Sequence, residues 1–230
     1  SPKALRVKPG SREIDLFYFG DLKSAVWRAS AAANSLRRIV PVGVIPGGRG
    51  IAHQLGIARV SGALWVAGIT GHDDGLEDPG GSHATAFAFP LARAEAGGIQ
   101  NTGDLSRISY SDQSVAGGGN GWYMPLEVSG VNVERPTTPP VIKNGYAIFA
   151  TFVPSSGQCL AGSGRLYAVN VKTGASGWGG QKFREIENLK ITGITIHKNK
   201  IHLGVQKFSE IGDNAIKKAF GSDAKAHWDG

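Results

Sequence analysis

Residues 15–30 read DLFYFGDLKSAVWRAS, with two apolar runs on either side of a glycine–aspartate pair, Gly20 and Asp21. Runs of this kind are typical of two β-strands joined by a tight turn. We expect Val26 and Trp27 to pack in a hydrophobic core, and Gly20 to permit the turn. We expect Asp21 to accept backbone N–H groups, which is a structural and not a catalytic role. This stretch therefore predicts a β-hairpin.

Short apolar segments bounded by Gly, Asn or Pro recur along the whole chain. The sequence contains 34 Gly and 11 Pro, counts that suit many short strands joined by turns. The predicted strands span residues 13–19, 25–30, 38–45, 57–60, 63–69, 84–89, 122–128, 141–153, 166–171, 189–197 and 201–207. This content predicts an all-β fold, and a chain of this length can bury the core of one such domain.

Three segments resemble one another and indicate a repeated hairpin. GDLKSAVWRAS (20–30), SGALWVAGITG (61–71) and SGRLYAVNVKTG (163–174) each combine a small-residue turn, an apolar strand with an aromatic residue and a second turn. Repeated hairpins are typical of β-propellers, in which each blade is a small antiparallel sheet. We therefore predict that residues 1–208 form a propeller-like domain, which is a modified or partial β-propeller.

The spacing of apolar residues changes near the C-terminus. Residues 209–220 place apolar side chains on one helical face, with Ser209 as the N-cap and Gly221 as the stop. We predict one short amphipathic helix there, and we assign residues 209–230 to this helix and a tail. We expect the helix to dock on the β-domain of its own chain.

The number of predicted strands bears on assembly. About eleven strands are too few for a full ring of four-stranded blades. An open propeller leaves strand edges with unpaired backbone groups, which proteins seldom tolerate. We expect these edges to be covered by another chain, by further copies of this chain or by the rest of a longer parent chain.

Charge and composition argue against several classes of function. The formal net charge is +7, but the basic residues occur singly or in pairs such as Arg37 and Arg38. A nucleic-acid site more often has a concentrated basic stripe with interleaved aromatic residues, so we expect no nucleic-acid partner. Cys159 is the single cysteine, which excludes an internal disulfide. No apolar run reaches the length of a membrane span, so we expect none.

Four segments share a set of motifs in a fixed order along about two-thirds of the chain. They are residues 15–27, 64–71, 121–141 and 146–174. The positions that carry the motifs include Tyr18, Gly20, Asp21, Leu22, Trp27, Gly121, Trp122, Tyr123, Leu126, Glu134, Arg135, Pro140, Phe149, Thr151, Pro154, Cys159, Gly164, Leu166, Tyr167 and Gly174. Together these segments resemble the C-terminal β-propeller of the PilY-type adhesins, which are associated with the tip of type IV pili.

The resemblance implies a non-catalytic binding or structural module that acts in pilus biogenesis or cell adhesion. It implies an extracellular location at the cell surface or fimbrium. The absence of a signal peptide before Ser1 decides nothing, because a mature secreted chain also lacks one. Minor pilins or other pilus subunits are the implied partners, and a host or abiotic surface is the implied target. The implied structural residues are Trp27, Trp122, Glu134, Arg135 and Tyr167, and we expect both tryptophans to lie in the core.

The family's calcium loop, which the resemblance places just before the hairpin, is poorly preserved. Of the expected ligand positions in the stretch VKPGSREID (7–15), Val7, Pro9 and Ser11 lack a carboxylate and Asp15 keeps one, and Asp21 follows in the turn. Calcium takes roughly six to eight oxygen ligands, so we expect this site to be lost and no cofactor to be bound. The other metal candidates form an acidic loop whose spacing differs from that of an EF-hand, and they are Asp73, Asp74, Glu77 and Asp78.

The sequence lacks the common catalytic motifs, so we predict that the protein is not an enzyme. It contains no G-x-S-x-G nucleophile motif. One enzymatic alternative stays open, because SGRLYAVNVKTGASGW (163–178) resembles the blade repeat of quinoprotein dehydrogenases. A purely structural component of a surface filament is the other alternative. A bound quinone is coloured, so the absorbance of the purified protein distinguishes the enzyme from the adhesin.

Overall fold

The computed structural model of the protein describes residues 2–5, 15–47, 49–71, 83–110, 119–126, 134–155, 162–197, 200–207 and 226–228. These residues form seventeen β-strands in four sheets, with one α-helix of five residues and one 3-10 turn. The expected all-β class is confirmed. Within the same ranges, no helix has the length and apolar character needed to cross a membrane.

The first sheet contains the four N-terminal strands in antiparallel order. They are β1 (Lys3–Leu5), β2 (Leu16–Gly20), β3 (Val26–Ser30) and β4 (Ser35–Val40). Tyr18 lies opposite Arg28 in the register of β2 and β3. The Tyr18 hydroxyl donates to Oε1 of Glu95 at 2.6 Å, and the same oxygen lies 3.3 Å from Nε of Arg28. The first sheet is thereby tied to helix α1 (Leu91–Glu95).

The second sheet contains five strands in the order β5-β6-β7-β9-β8. They are β5 (Gly56–Val60), β6 (Ala63–Ile69), β7 (Ala84–Pro90), β8 (Ser106–Arg107) and β9 (Trp122–Leu126). Helix α1 follows β7 directly. This helix was not predicted from the sequence, because five residues are too few to show a helical period.

The remaining strands form the third and fourth sheets. The third contains β10 (Arg135–Pro136), β11 (Val141–Lys143), β12 (Tyr146–Val153), β13 (Ser163–Asn170) and β14 (Phe183–Glu187). In it, β12 pairs with β10, β11 and β13, and β14 pairs with β13. The fourth contains β15 (Leu189–His197), β16 (Lys200–Lys207) and β17 (Ala226–Trp228).

Three hydrophobic cores lie between successive sheets. Residues of β6 alternate between two cores: Trp65 joins residues of the third sheet, whereas Val66 joins residues of the first. The last core joins Leu166 of the third sheet to Leu189 and Leu203 of the fourth. Each sheet therefore packs on the sheet that follows it in the chain, and the second and third sheets are covered on both faces.

Several strand predictions need correction. Residues 141–153 form two strands, because Asn144 and Gly145 have positive φ (51° and 82°) and make a hairpin turn. The strand predicted at 38–45 begins at Ser35 and ends at Val40. The five strands that were not predicted are β1, β8, β10, β14 and β17. Four of them contain only two or three residues, and β14 reads FREIE, so none shows a clear apolar pattern.

The C-terminal region differs in part from its prediction. The helix expected at 209–220 lies outside the described residues. Residues 226–228 were assigned to the helix and tail, but they form β17, which pairs in parallel with β16. Part of the tail is therefore a strand of the fourth sheet.

Candidate functional site

Asp21 organises the turn between β2 and β3. Its Oδ1 accepts the backbone N–H groups of Lys23 at 2.8 Å and Ala25 at 2.9 Å. Its Oδ2 accepts the indole N–H of Trp27 at 2.8 Å. Burial alone would raise the pKa of Asp21, but the three hydrogen bonds outweigh burial and hold that pKa below its usual value. The expected role of Asp21 in the turn is confirmed.

Trp27 does not lie in the core, so that expectation was wrong. Its side chain is half-buried, whereas Val26 beside it is fully buried. Neighbouring residues of a strand point to opposite faces, so the burial of Val26 places Trp27 on the outer face. The guanidinium of Arg38 lies 5.9 Å from the centroid of the Trp27 ring. The structural role of Trp27 is its hydrogen bond to Asp21.

Gly20 is needed for a close approach and not for the backbone angles of the turn. A Cβ on Gly20 would lie 2.3 Å from the Cβ of Ile51. The backbone N–H of Ile51 donates to the carbonyl of Asp21 at 2.8 Å. The positive φ in the turn is that of Ser24, at 64°. Gly20 therefore allows the close approach of Ile51, and the expectation that it permits the turn itself was wrong.

The candidate metal ligands do not form a cluster in the part of the chain that the structure describes. Asp15 precedes β2, and its backbone carbonyl accepts the N–H of Ala31 at 3.0 Å. The Asp21 carboxylate is occupied by its three donors. The acidic-loop residues Asp73, Asp74, Glu77 and Asp78 lie outside the described residues. In the described part, no three His, Cys, Asp or Glu side chains come together as metal ligands.

Glu134 is a fully buried carboxylate just before β10. Its Oε1 accepts the hydroxyl groups of Thr151 and Tyr167, the second at 2.6 Å. Its Oε2 accepts Nη1–H of Arg165 at 3.2 Å and the hydroxyl of Tyr110 at 3.4 Å. Thr151 of β12 lies opposite Arg165 of β13 in the register, which brings both side chains to the same face.

Arg165 extends this network toward the surface. Its Nε donates to Oε2 of Glu185 at 2.7 Å, and its guanidinium lies 4.2 Å from the centroid of the Phe183 ring. Burial would lower the pKa of Arg165, but the charge of Glu134 and further interactions raise it above the usual value. Burial raises the pKa of Glu134, although Arg165 and the hydroxyl donors oppose this effect. Burial, followed by the charge of Glu134, raises the pKa of Tyr167 well above its usual value.

The Glu134 network is closed to any substrate. Both carboxylate oxygens have donors, and the residue is 0% exposed. A general acid or base must reach the proton that it transfers, and Glu134 lacks such access. The network instead fastens the segment that leads into β10 to strands β12 and β13. This is a structural role, as expected for Glu134 and Tyr167.

Arg135 does not take part in this network. It lies opposite Phe152 in the register of β10 and β12, and its side chain is half-buried. Arg165 was given no role from the sequence, because the predicted strand began at residue 166 whereas β13 begins at Ser163. The spacing of Arg165 and Tyr167 could have revealed it, since residues two apart in a strand share a face.

Trp122 joins the second sheet to the third. It is fully buried, so the expectation that it lies in the core is confirmed. Its indole N–H donates to the carbonyl groups of Asn170 and Val171, both at 3.0 Å. Because Trp122 begins β9 and Asn170 ends β13, these bonds fix the two sheets to each other.

Two adjoining pockets open beside the turn at Asn144 and Gly145. The basic pocket has a volume of about 500 Å³ and is lined by three cations and three uncharged polar side chains: Arg59, Lys143, Lys172, Ser61, Asn144 and Asn170. The aromatic pocket has a volume of about 210 Å³, and its main apolar lining is Tyr146, Ile148, Trp178, Ile196 and Ile201. Lys143 and Asn144 line both pockets.

These pockets were not predicted from the sequence, because their residues come from separate hairpins. Arg59, Lys143 and Lys172 are far apart in sequence, and each looks like an ordinary surface charge. Comparisons with protein-family models, with curated proteins and with solved structures find no match for this chain. Conclusions about function therefore rest on the fold, the sites described above and the sequence motifs.

Proposed function

We propose that the chain is a non-catalytic binding or structural module of the pilus tip-adhesin kind, which acts outside the cell in type IV pilus biogenesis or surface attachment. One observation carries the proposal. Four small sheets, each built from one stretch of chain, pack on one another in sequence order. A partial β-propeller has this arrangement, with each sheet as one blade. The sequence resemblance to PilY-type adhesins supports the same class.

The outer face of the first sheet is a candidate contact surface for this module. Tyr18 points into the core, so Phe17 and Phe19 point outward, and both are half-buried. Phe17 lies opposite Ala29, which in turn lies opposite Leu36 (61% exposed), and Phe19 lies opposite Trp27. Exposed apolar surface of this kind is typical of interaction sites. We expect minor pilins, further copies of the chain or the rest of a longer parent chain to cover it.

The proposed lack of catalysis rests on the common catalytic motifs that the sequence lacks, and it is consistent with the chemistry of Glu134. This residue is the fully buried carboxylate of the described chain, and its hydrogen bonds leave no access for a substrate. The absorbance spectrum of the purified protein tests this part of the proposal. We expect absorbance from aromatic side chains alone. A quinone band together with reduction of a dye acceptor would favour the quinoprotein-like enzyme instead.

The main test is deletion of the coding sequence in the source organism. We expect fewer assembled pili or weaker attachment to surfaces, and we expect the wild-type gene to restore both. The variant Glu187→Ala, which removes an exposed carboxylate from the third sheet, should also restore them. Glu134→Ala should not restore piliation or attachment, because it breaks the buried network. Normal piliation and normal attachment after deletion would contradict the proposal.

A further inference from the structure

Two hairpin turns lie side by side at the basic pocket. One is formed by Ser61 and Gly62 between β5 and β6, with φ of 48° and 86°, and the other by Asn144 and Gly145. Positive φ at both central residues is the geometry of tight two-residue hairpins. A Cβ on Gly145 would lie 3.6 Å from Cγ1 of Val60, so the two turns are neighbours. The pocket is therefore built on strand ends, which hold its shape.

Hydrogen bonds also hold the segments that carry the cations. Nη1 of Arg59 donates to the carbonyl of Gly62 at 2.6 Å, across its own turn. Oδ1 of Asn170 accepts the backbone N–H groups of Lys172 at 3.0 Å and Thr173 at 3.1 Å. These bonds order the Arg59 guanidinium and the backbone at Lys172 before a ligand binds, which lowers part of the cost of binding.

The charges of the basic pocket have no acidic partner in the described part of the chain. Arg59, Lys143 and Lys172 are exposed, and no carboxylate there forms an ion pair with them. No acidic side chain lines the pocket. Three cations around one concave site favour an anionic ligand, because charge-assisted hydrogen bonds are stronger than neutral ones.

The aromatic pocket next to it offers aromatic side chains on which the apolar face of a ring can pack. Tyr146 and Trp178 both line it, and the backbone N–H of Trp178 donates to Oγ of Ser176 at 3.0 Å. A Cβ on Gly177 would lie 3.0 Å from Cδ1 of Tyr146, so glycine keeps this wall open. The indole N–H of Trp178 is buried and has no acceptor among the described residues.

We propose that the two pockets together bind an acidic oligosaccharide, with a sugar carboxylate in the basic pocket and a neighbouring sugar ring in the aromatic pocket. The amide and hydroxyl groups of Asn144, Asn170 and Ser61 suit the hydroxyl groups of such a ligand. A volume of about 210 Å³ admits one ring, not a long acyl chain. The proposal rests on the proposed function, since it names the class of surface molecule that the module recognises.

Titration calorimetry with trigalacturonic acid tests this proposal on the purified chain. Galactotriose has the same number of sugar rings without the carboxylates, and triglutamate has the same number of side-chain carboxylates without the sugars. We expect trigalacturonic acid to bind at least about tenfold more tightly than either of these, because both pockets must be filled. If galactotriose bound as tightly as trigalacturonic acid, the basic pocket would have no role in binding a sugar carboxylate. Equal binding of triglutamate would show a site for acidic peptides and would overturn the proposal.

Two double variants of equal charge separate a specific site from general attraction. Lys143→Gln with Lys172→Gln should weaken binding of trigalacturonic acid about tenfold. Lys23→Gln with Lys200→Gln removes the same charge from exposed positions outside the pocket and should change affinity less than about twofold. An equal loss in both would overturn the proposal.

The aromatic pocket has its own variant. Trp178→Phe keeps an aromatic ring of smaller area, and we expect about threefold weaker binding in a variant that stays folded. Binding unaffected by Trp178→Phe and by Tyr146→Ala, in folded variants, would remove the aromatic pocket from the site. If no binding occurs but deletion of the gene still abolishes attachment, the ligand assignment fails while the proposed function stands.

Discussion

Replacing Glu134 by alanine is the sharpest test of the network that holds the third sheet together. The substitution removes the carboxylate and leaves its donors in place. The hydroxyl groups of Thr151 and Tyr167 lose their acceptor within a buried environment. Arg165 loses its buried partner and keeps Glu185, at 2.7 Å. We therefore expect a large loss of stability. Because Glu134 is fully buried, this loss does not come from a change of charge at the surface.

The expected loss can be bounded from the contacts of Glu134. Removing one member of a buried ion pair costs about 3–5 kcal/mol. The Arg165 side chain is 12% exposed and retains Glu185, which favours the lower part of that range. We expect the free energy of unfolding to fall by about 3–4 kcal/mol. In a chain of this size, each kcal/mol lowers the melting temperature by about 2–4 °C, so the expected decrease is about 6–16 °C.

Urea unfolding followed by tryptophan fluorescence measures this loss directly. Glu187→Ala is the matched control, because it removes an exposed carboxylate from β14, and it should change stability by less than about 0.5 kcal/mol. Glu134→Gln keeps an acceptor oxygen and should fall between the two. If Glu134→Ala lost less than about 1 kcal/mol, the carboxylate would not hold β10, β12 and β13 together, and this reasoning would be refuted.

Three further predictions follow from burial and electrostatics. In urea unfolding, Trp122→Ala should lower the free energy of unfolding by about 3–5 kcal/mol, and Trp27→Ala by about 2 kcal/mol or less. The difference is expected because only Trp122 is fully buried, and equal losses would contradict it. The folded-state pKa of Glu134 is raised, so folding favours its protonated form. The free energy of unfolding of the wild type, relative to that of Glu134→Gln, should therefore fall as pH rises from about 4 through the raised pKa. Above that pKa the difference should stay constant. Stability that instead rises relative to the variant would exclude a raised pKa. Added calcium should leave the melting temperature unchanged, and a calcium-dependent rise abolished by Asp15→Ala would reveal ligands elsewhere in the chain.

The hairpin of β2 and β3 shows what could be predicted from the sequence and what could not. Apolar runs around Gly20 and Asp21 were enough to place the turn and to assign hydrogen bonds to Asp21. Val26 and Trp27 are adjacent and both apolar, so only one can face the core, and the sequence alone does not decide which. The carboxylate of Asp21 accepts a hydrogen bond from the indole N–H of Trp27, whose side chain lies on the outer face of the first sheet. The local pattern of apolar residues does not predict this hydrogen bond.

The Glu134 network and the two pockets could not be predicted from the sequence, for a different reason. Thr151, Arg165 and Tyr167 lie 17, 31 and 33 residues from Glu134 in sequence and meet only through the register of the third sheet. The motif resemblance marked Glu134 and Tyr167 as structural residues, but it did not pair them. The cations of the basic pocket lie at the ends of β5 and β11 and just after β13, so only the packing of the second and third sheets brings them together.

Immunogold electron microscopy on cells of the source organism tests the central claim most directly. The claim is that this chain belongs to a non-catalytic module of type IV pili that acts outside the cell. With antibody raised against the purified chain, we expect gold particles at pilus tips or pilus bases on intact cells, and no label on cells that lack the coding sequence. Label confined to the cell interior, with pili unlabelled before and after permeabilisation, would contradict the claim.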